Sequence, residues 1–491
     1  MAIRAKLSAP REERSEWTWH HPKWTALSAS LLMGGDRRME AETYLAGGYG
    51  LRLAMESRKV GLANLGGIAN VWQPSRLKGV LVSPEYGTPF LAATQVFDLR
   101  PTPRKYLSLD KVRDADSLFV KPGQILVTRS GNVGRSTIAH EPHKGIIISD
   151  DLLRIEPKRG EAWGWIYAYL RSPQARAMMS AAQYGHVIKH LEVSHLNALP
   201  IPMLRDELLA DFRSRASSLM ITRDRVYDLV NEAERLFERS IGDVKTAADP
   251  EIGFSVRASS IIGQRKRLEA AFHSPTSTAI LNRFVENGLV VEPLTKVTER
   301  VWWMTRFKRV FGDGGMDYMS ADELFAQNSP ITKHVLVEQA DNPEAYFAKA
   351  GWILMACSGQ TYGLNGSVAL MTKRHERAFF SHDLVRIIPR KDCIRPGYLF
   401  TAMGHPKLGR PLVIRYAYGT SIPHLEPADI ATFPVVRLGE QRESEIADRM
   451  EEAMRLRAEA DEIENQLASD AEAIIDRFIA GDMSDVVMVG A

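Results

Sequence analysis

The sequence contains two copies of one pattern, and this repeat constrains the fold more than any other feature. KPGQILVTRSGN at residues 121–132 matches KAGWILMACSGQ at residues 349–360, which lies 228 positions later. SDDLLRIEP then matches SHDLVRIIP, GHVIKHLE matches GTSIPHLE and LPIP matches FPVV, in the same order and at displacements that increase to 234 positions. Insertions in surface loops change a displacement in such small steps. We therefore interpret the chain as an internal duplication, for which 491 residues provide two domains of ordinary size.

Each copy contains the patterns of both strands and helices. ILVT and ILMA are short apolar runs that follow a glycine, and DLLRIEP and DLVRIIP alternate before a proline, which indicates strands. WGWIYAYLRS at residues 163–172 and PGYLFTAMGH at residues 396–405 are typical of helices. Because these elements recur in the same order, we predict a mixed α/β fold for each copy.

A stretch without proline and with a helical period follows each copy. In the first, mostly apolar residues recur in steps of four and three over residues 212–237, and the same steps in the second run over residues 446–478. This spacing is typical of coiled-coil helices, and two apolar seams in one chain bury each other most economically. We predict two long antiparallel helices, the first roughly 50 Å long, that pair as a rigid spacer. The alternative, in which each helix folds back on its own copy, stays open.

Arg223 and Arg457 occupy equivalent positions in these two apolar seams. A shared polar residue can fix the register of paired helices at some cost in stability. Alternatively, each arginine extends its guanidinium to solvent while its methylene groups remain in the seam. The residue pattern alone favours neither interpretation.

The charge of the chain is unevenly distributed. The formal net charge is +3, but residues 205–239 carry −1 and residues 439–479 carry −8, so that the remainder carries +12. Basic residues are densest in RPTPRKY (100–106), TERVWWMTRFKR (298–309) and TKRHER (372–377). The two copies would therefore attract a polyanion such as DNA, whereas the second helical stretch would repel it. The alternatives are a fortuitous surface charge and a core position for Trp302 and Trp303.

Loops rich in glycine and polar residues follow the first strand of each match, at residues 128–136 and 357–367. Their amide and guanidinium groups suit phosphates and base edges, with Asn or Gln matching adenine and Arg matching guanine. The alternative is a tight turn that needs a positive φ at Gly131 and Gly359. The candidate DNA-binding residues are Arg104, Lys105, Arg129, Ser130, Asn132, Arg135, Lys189, Arg300, Arg306, Lys308, Arg309, Ser358, Gln360, Tyr362, Asn365, Lys373 and Arg374.

Several functional classes lack their motifs. The dipeptide GK of a phosphate-binding loop does not occur, no Asn or Asp precedes Pro-Pro as in adenine methyltransferases, and no HExxH or cysteine pattern completes a zinc site. We expect no catalytic residues, metal or cofactor in this chain. Two cysteines, no signal-peptide pattern and no membrane-length apolar run predict a cytoplasmic protein.

These motifs together resemble the specificity subunit of Type I restriction-modification systems. Each copy has a K-x-G-x-I-L strand, an S-x-D-L-x-R-I strand, a G-x-x-I-x-H-L-E turn and an exit into a long helix, and RLEAAFHSP at residues 267–275 is similar to the opening of a target-recognition domain. We divide the chain into an N-terminal extension (residues 1–47), a first target-recognition domain (48–204), a first spacer helix (205–240), a linker (241–270), a second target-recognition domain (271–438), a second spacer helix (439–480) and a C-terminal tail (481–491).

The resemblance implies a non-catalytic subunit in which each domain reads one half of a bipartite double-stranded DNA site and the helices set the gap. It also implies methyltransferase subunits, two of them, that dock around the helices and carry S-adenosylmethionine, and a motor-nuclease subunit as a further partner in phage defence. The rival hypotheses are a DNA-processing enzyme with an unrecognised catalytic site and a tandem protein-binding scaffold.

Overall fold

The computed structural model describes residue 29 and residues 41–488, except residues 46, 77–78, 111, 113, 184–188, 246–252 and 263–266. Most of the expected N-terminal extension and part of the linker thus lie outside the described residues. The fold is mixed α/β, as predicted. In the part of the chain that the structure describes, no helix is long and apolar enough to cross a membrane.

The chain up to residue 204 is built around a four-stranded antiparallel sheet. Its elements are α1 (Ala41–Leu45), α2 (Gly48–Glu56), β1 (Leu62–Asn64), α3 (Leu65–Ile68), β2 (Ala69–Trp72), β3 (Val80–Val82), β4 (Thr88–Leu91), β5 (Lys105–Ser108), β6 (Ile125–Thr128), β7 (Ser136–Ile138), β8 (Ile147–Ile148), β9 (Leu152–Pro157), α4 (Trp163–Arg171), α5 (Pro173–Ala182), α6 (Val193–Asn197) and β10 (Pro200–Pro202). The main sheet has the order β2-β9-β6-β7, a second sheet has the order β3-β5-β4-β8, and β1 pairs with β10. We call residues 48–204 unit 1.

The following part of the chain repeats the main sheet of unit 1 between two long helices, whereas its second sheet has three strands instead of four. Its elements are α7 (Asp206–Ile241), α8 (Ala258–Ile262), α9 (Pro275–Glu286), β11 (Val290–Pro293), α10 (Leu294–Val297), β12 (Thr298–Trp302), β13 (Val310–Met319), α11 (Ala321–Leu324), β14 (His334–Leu336), β15 (Ile353–Ala356), β16 (Val368–Leu370), β17 (Phe379–Phe380), β18 (Leu384–Pro389), α12 (Pro396–Gly404), α13 (Arg410–Ile414), α14 (Pro427–Ile430), β19 (Pro434–Arg437) and α15 (Glu440–Ala480). The sheets have the orders β12-β18-β15-β16, β14-β13-β17 and β11-β19. We call residues 271–438 unit 2.

Both main sheets bury an arginine at the same place in the strand register. Arg154 pairs with Leu126 and Arg386 pairs with Leu354, and neither arginine has measurable exposure. Their guanidinium groups donate hydrogen bonds to backbone carbonyls, of Leu152, Leu118 and Ile148 for Arg154 and of Leu384 and Tyr346 for Arg386. Burial lowers the pKa of each guanidinium to about 10, so that both remain charged at neutral pH. The arginine that both S-x-D-L-x-R-I segments share therefore joins its strand to a neighbouring segment of the same unit.

The long helices α7 and α15 pack along each other in antiparallel directions. Phe212 near the start of α7 shares a hydrophobic core with Phe478 at the end of α15, whereas Phe237 near the end of α7 shares one with Ile446. Unit 1 contributes Trp165 to the first core, with its ring 5.1 Å from that of Phe212, and unit 2 packs on the second. Each unit therefore contacts both helices. The alternative, in which each helix folds back on its own copy alone, is wrong.

The two units also contact each other directly near the middle of the helices. The backbone N–H of Leu99 donates to Phe325 O at 3.0 Å, and that of Gln327 donates to Phe97 O at 2.7 Å. Asp98 and Ala326 form the antiparallel bridge between these bonds. A spacer helix alone would keep the copies apart, but each unit extends from its own end of the helix pair towards the middle, where their edges pair. This contact was not expected from the sequence.

Lowering the pH from 7 to 5 is expected to reduce the free energy of unfolding by about 2 kcal/mol for each of two buried histidines. His143 and His375 lie at equivalent positions, and Nδ1 of each accepts the N–H of the residue three positions earlier. Burial lowers the pKa of both to about 3. The unfolded chain, in which histidine titrates near 6.5, therefore binds the protons, and stability is lost as the pH falls.

Guanidinium chloride unfolding of the full chain at pH 7 and pH 5 measures this dependence. In a His143→Gln/His375→Gln variant, each glutamine retains a hydrogen-bond acceptor and removes the titration, so that its loss between the two pH values should be smaller. An equal loss in both proteins would contradict the assignment.

Candidate nucleic-acid interface

Hydrogen bonds join the loop that follows β6 to the turn that contains the HLE segment, residues 190–192. The N–H of Leu191 donates to Arg129 O at 2.8 Å, Ser130 and His190 form an isolated antiparallel bridge, and Ser130 Oγ lies 2.9 Å from His190 Nδ1. Ser130 Oγ also donates to Asp151 Oδ1 at 3.2 Å. The hydroxyl of Ser130 thus orients the His190 ring at the surface instead of standing free for a base.

Unit 2 joins the corresponding segments in the same way. The N–H of Leu425 donates to Cys357 O at 2.9 Å, Ser358 and His424 form a bridge, and Ser358 Oγ lies 2.9 Å from His424 Nδ1. Gly359 has φ 117°, as Gly131 has φ 73° in unit 1. Both glycines therefore form the tight turns with positive φ that the sequence allowed. These turns do not exclude a DNA-contacting role for the loops, because the same turns present polar residues to solvent.

Each of these loops exposes an amide side chain. Asn132 and Gln360, at equivalent positions, are exposed, although Gln360 Nε2 also donates to Ser421 O at 2.8 Å. Tyr362 lies beside Gln360 and is 74% exposed. Arg410 holds this loop in shape by donating hydrogen bonds to the carbonyls of Thr361, Gly363 and Asn365. The sequence did not single out Arg410. No periodicity or motif marks Arg410 for that role.

Most of the other candidate cations lie at the surface. Arg300 is exposed and its guanidinium stacks over the Trp302 ring at 4.6 Å, while Trp302 packs edge-on against Trp352. Trp302 is thus partly a packing residue, whereas Trp303 is 41% exposed. The exposed candidate cations are Arg104, Lys105, Arg300, Arg306, Lys308, Arg309 and Lys373. Of these, Arg104 lies 3.9 Å from Asp98 and Arg309 donates to the Tyr318 hydroxyl at 2.9 Å.

Three candidates have internal roles that sequence reasoning missed. Asn365 has no measurable exposure and donates to Gly359 O and Pro423 O, so that it shapes the loop and cannot reach a base. Arg135 lies over the Phe97 ring at 4.3 Å and donates to Gln327 O. Arg374 pairs with Asp461 at 2.5 Å and donates to Asn328 Oδ1 at 2.6 Å. Both arginines join a unit to its neighbours because the fold brings distant acceptors to them.

Arg129 and Lys189 flank the joined loop and turn of unit 1. Arg129 pairs with Glu192 at 2.8 Å and lies 3.8 Å from Asp151, so that its charge is already partly neutralised. Lys189 is half-buried. Residues 184–188, which include His186 of the HLE segment, lie outside the described residues.

The described residues offer little support for a metal or thiolate site. Among them, no group of three or more His, Cys, Asp or Glu side chains is arranged to hold a metal ion. Burial raises the pKa of the Cys357 thiol to about 11, although the Ser358 hydroxyl opposes this shift. Cys357 therefore stays protonated at neutral pH, which makes it a poor nucleophile.

Comparison with known proteins gives similarity to solved structures only. No family model and no curated protein matches the chain. The S subunit of a Type I restriction-modification system from M. genitalium has 13% sequence identity and a TM-score of 0.30, with 87% of this chain and 96% of that chain covered. The HsdS subunit from Thermoanaerobacter tengcongensis has 14% identity and a TM-score of 0.25, covering 86% of this chain and 96% of that one. A structure of type I R-M system assembly has 14% identity, a TM-score of 0.24 and coverages of 86% and 97%.

Proposed function

We propose that this chain is the DNA-specificity subunit of a Type I-like restriction-modification complex. Units 1 and 2 act as two target-recognition domains, and each reads one half of a bipartite site in double-stranded DNA. The observation that carries the proposal is the loop joined to its HLE turn by a serine–histidine contact, which occurs once in each unit. Two similar but non-identical readers suit an asymmetric, split DNA sequence.

The surface charges support this role. The exposed cations of both units suit phosphate contacts, and exposed Asn132 and Gln360 suit base edges in the major groove. The second long helix carries a net charge of −8 and would be kept away from the DNA. In this proposal the phosphate contacts position the chain and the two loops specify the sequence.

The helices α7 and α15 form a coiled-coil strut that joins the duplicated domains. Together with the Asp98–Ala326 bridge between the units, this strut sets the gap between the two half-sites. Methyltransferase subunits, two per chain, dock around the strut and carry S-adenosylmethionine, and a motor-nuclease subunit completes the complex. The chain itself is non-catalytic and works in the cytoplasm.

The test is to map methylated DNA motifs in cells that contain this chain and its methyltransferase partner. Asn132→Ala is expected to relax one half of the motif and Gln360→Ala the other half, because the two loops belong to different readers. A bidentate contact to a base provides about 1–3 kcal/mol of discrimination, which corresponds to roughly 5- to 150-fold. Replacing residues 48–204 with another reader should change one half alone.

Lys391→Ala is a matched control, since Lys391 is exposed and follows β18 outside the candidate loops. It should leave the motif unchanged. Changes in both halves after either loop substitution, or a single contiguous motif, would contradict the proposal. DNA affinity of the assembled complex that is insensitive to salt would do the same, because phosphate contacts release counterions.

A further inference from the structure

The middle of the molecule contains a buried carboxylate that satisfies several donors. Glu464 on α15 is 1% exposed. Its carboxylate pairs with Arg223 at 2.7 Å and with Arg171 at 3.3 Å, and it accepts hydrogen bonds from the Tyr167 hydroxyl and from Asn328 Nδ2. Burial alone would raise the pKa of Glu464, but Arg171 and Arg223 lower it to about 2. The acid is therefore charged and fully coordinated.

The equivalent position on the other side of the molecule lacks this acid. A displacement of 234 positions relates Arg223 to Arg457 and Val230 to Glu464. Thus Arg457 has the place of Arg223, but a valine stands where its acidic partner would be. The matched helices α4 and α12 also differ in the residues that contact the acid. In α12, Phe400 and Gly404 stand at the positions that Tyr167 and Arg171 occupy in α4.

These substitutions leave a cavity of about 340 Å³ between the units and the two long helices. Arg457, Val230, Phe400 and Gly404 all line it. Its wall carries five arginines and three carboxylates. The carboxylates already have partners: Glu234 with Arg100, Asp461 with Arg374 and, more distantly, Asp98 with Arg104. The cavity is consequently cationic.

Two arginines of the wall, Arg410 and Arg457, make no ion pair among the described residues. Arg410 donates to three loop carbonyls, whereas the Nε of Arg457 is buried without a hydrogen-bond partner. Asp461, one helical turn further along, is held at 2.5 Å by Arg374. Burial lowers the pKa of the Arg457 guanidinium, although the Asp461 carboxylate opposes this shift. A buried charge that is compensated only in part destabilises a fold unless a further anion joins it.

We propose that this cavity binds a small organic oxyanion whose carboxylate or phosphate group lies against Arg457, in the place that the Glu464 carboxylate occupies beside Arg223. The apolar part of the ligand packs on Phe400, Met450 and Met454, which line the same cavity. A volume of this size is typical of small-molecule sites. Because the ligand would bridge the units and both helices, its binding stabilises their contact.

The experiment measures the melting temperature of the full chain with inorganic phosphate or adenosine monophosphate, at constant ionic strength. Both probes should raise the melting temperature, and the nucleotide should act at a concentration at least about tenfold lower because its ring contacts the apolar wall. Val230→Glu places an internal carboxylate beside Arg457 and should abolish the response to both probes. Arg457→Met should abolish it as well.

Ile221→Glu is the matched control for Val230→Glu. Ile221 lies on α7, as Val230 does, but it is 66% exposed and does not line the cavity. It adds the same charge and should respond as the unaltered chain does. An equal response in Arg457→Met and the unaltered chain would overturn the proposal, as would the absence of any response up to about 10 mM of either probe. Since two different variants test one site, the failure of one to fold leaves the other decisive.

Discussion

Replacing Glu464 with alanine is expected to lower the free energy of unfolding by about 3–5 kcal/mol. The change removes the carboxylate that compensates Arg223 and Arg171 and leaves both guanidinium groups near the centre of the molecule. The Tyr167 hydroxyl and Asn328 Nδ2 also lose their acceptor. Chemical unfolding of the full chain, followed by circular dichroism, measures the loss.

Val230→Ala is the matched control for this substitution. It truncates the residue at the equivalent position of the other long helix, where no charge is involved, and should cost about 1 kcal/mol. A loss of similar size for the two variants would show that the central ion network contributes little. Glu464→Gln should fall between them, because an amide oxygen still accepts hydrogen bonds while the charge is lost.

Gly164→Ala is expected to destabilise the contact of unit 1 with the first long helix by about 3 kcal/mol. A Cβ at Gly164 would lie 2.3 Å from Phe212 O and 2.5 Å from Arg213 N. These atoms belong to the backbone of α7 and cannot rotate away as a side chain would, so α4 must move from α7. Thermal or chemical unfolding of the full chain provides the measurement.

Gly160→Ala is the control, because no atom lies within 4 Å of a Cβ at that position. It should change stability by less than about 0.5 kcal/mol. Gly397 is the equivalent of Gly164 in unit 2, and its Cβ would meet Ala447 O at 2.8 Å. Gly397→Ala should therefore also destabilise, but less. If Gly164→Ala were as stable as Gly160→Ala, the close packing of α4 on α7 would be disproved.

The local elements were predictable because their signals are local. The steps of four and three predicted a helix beginning near Arg205, and α7 spans Asp206–Ile241. The apolar runs ILVT and ILMA form β6 and β15, and the matched segments DLLRIEP and DLVRIIP form β9 and β18 over Leu152–Pro157 and Leu384–Pro389. The mixed α/β class was therefore readable from periodicity and residue type.

The candidate interface was predictable only in part. The loops after β6 and β15 were found because glycine and polar residues mark turns, and Asn132 and Gln360 are exposed there. The same reasoning failed for Asn365, whose amide holds the loop together, and for Arg374, whose partner Asp461 lies 87 positions away in the sequence. A guanidinium that binds phosphate and one that binds a distant carboxylate look alike in a sequence.

The spacing of residues along the chain indicates the two long helices, the matched strands and helices of each copy and the repetition of their order. Which charges face solvent and which are paired in the interior depends instead on the tertiary packing. Arg223 is buried against Glu464, and its counterpart Arg457 borders a cavity. Neither outcome follows from the two matching arginines, because the free energy of a charge depends on which distant segments pack around it.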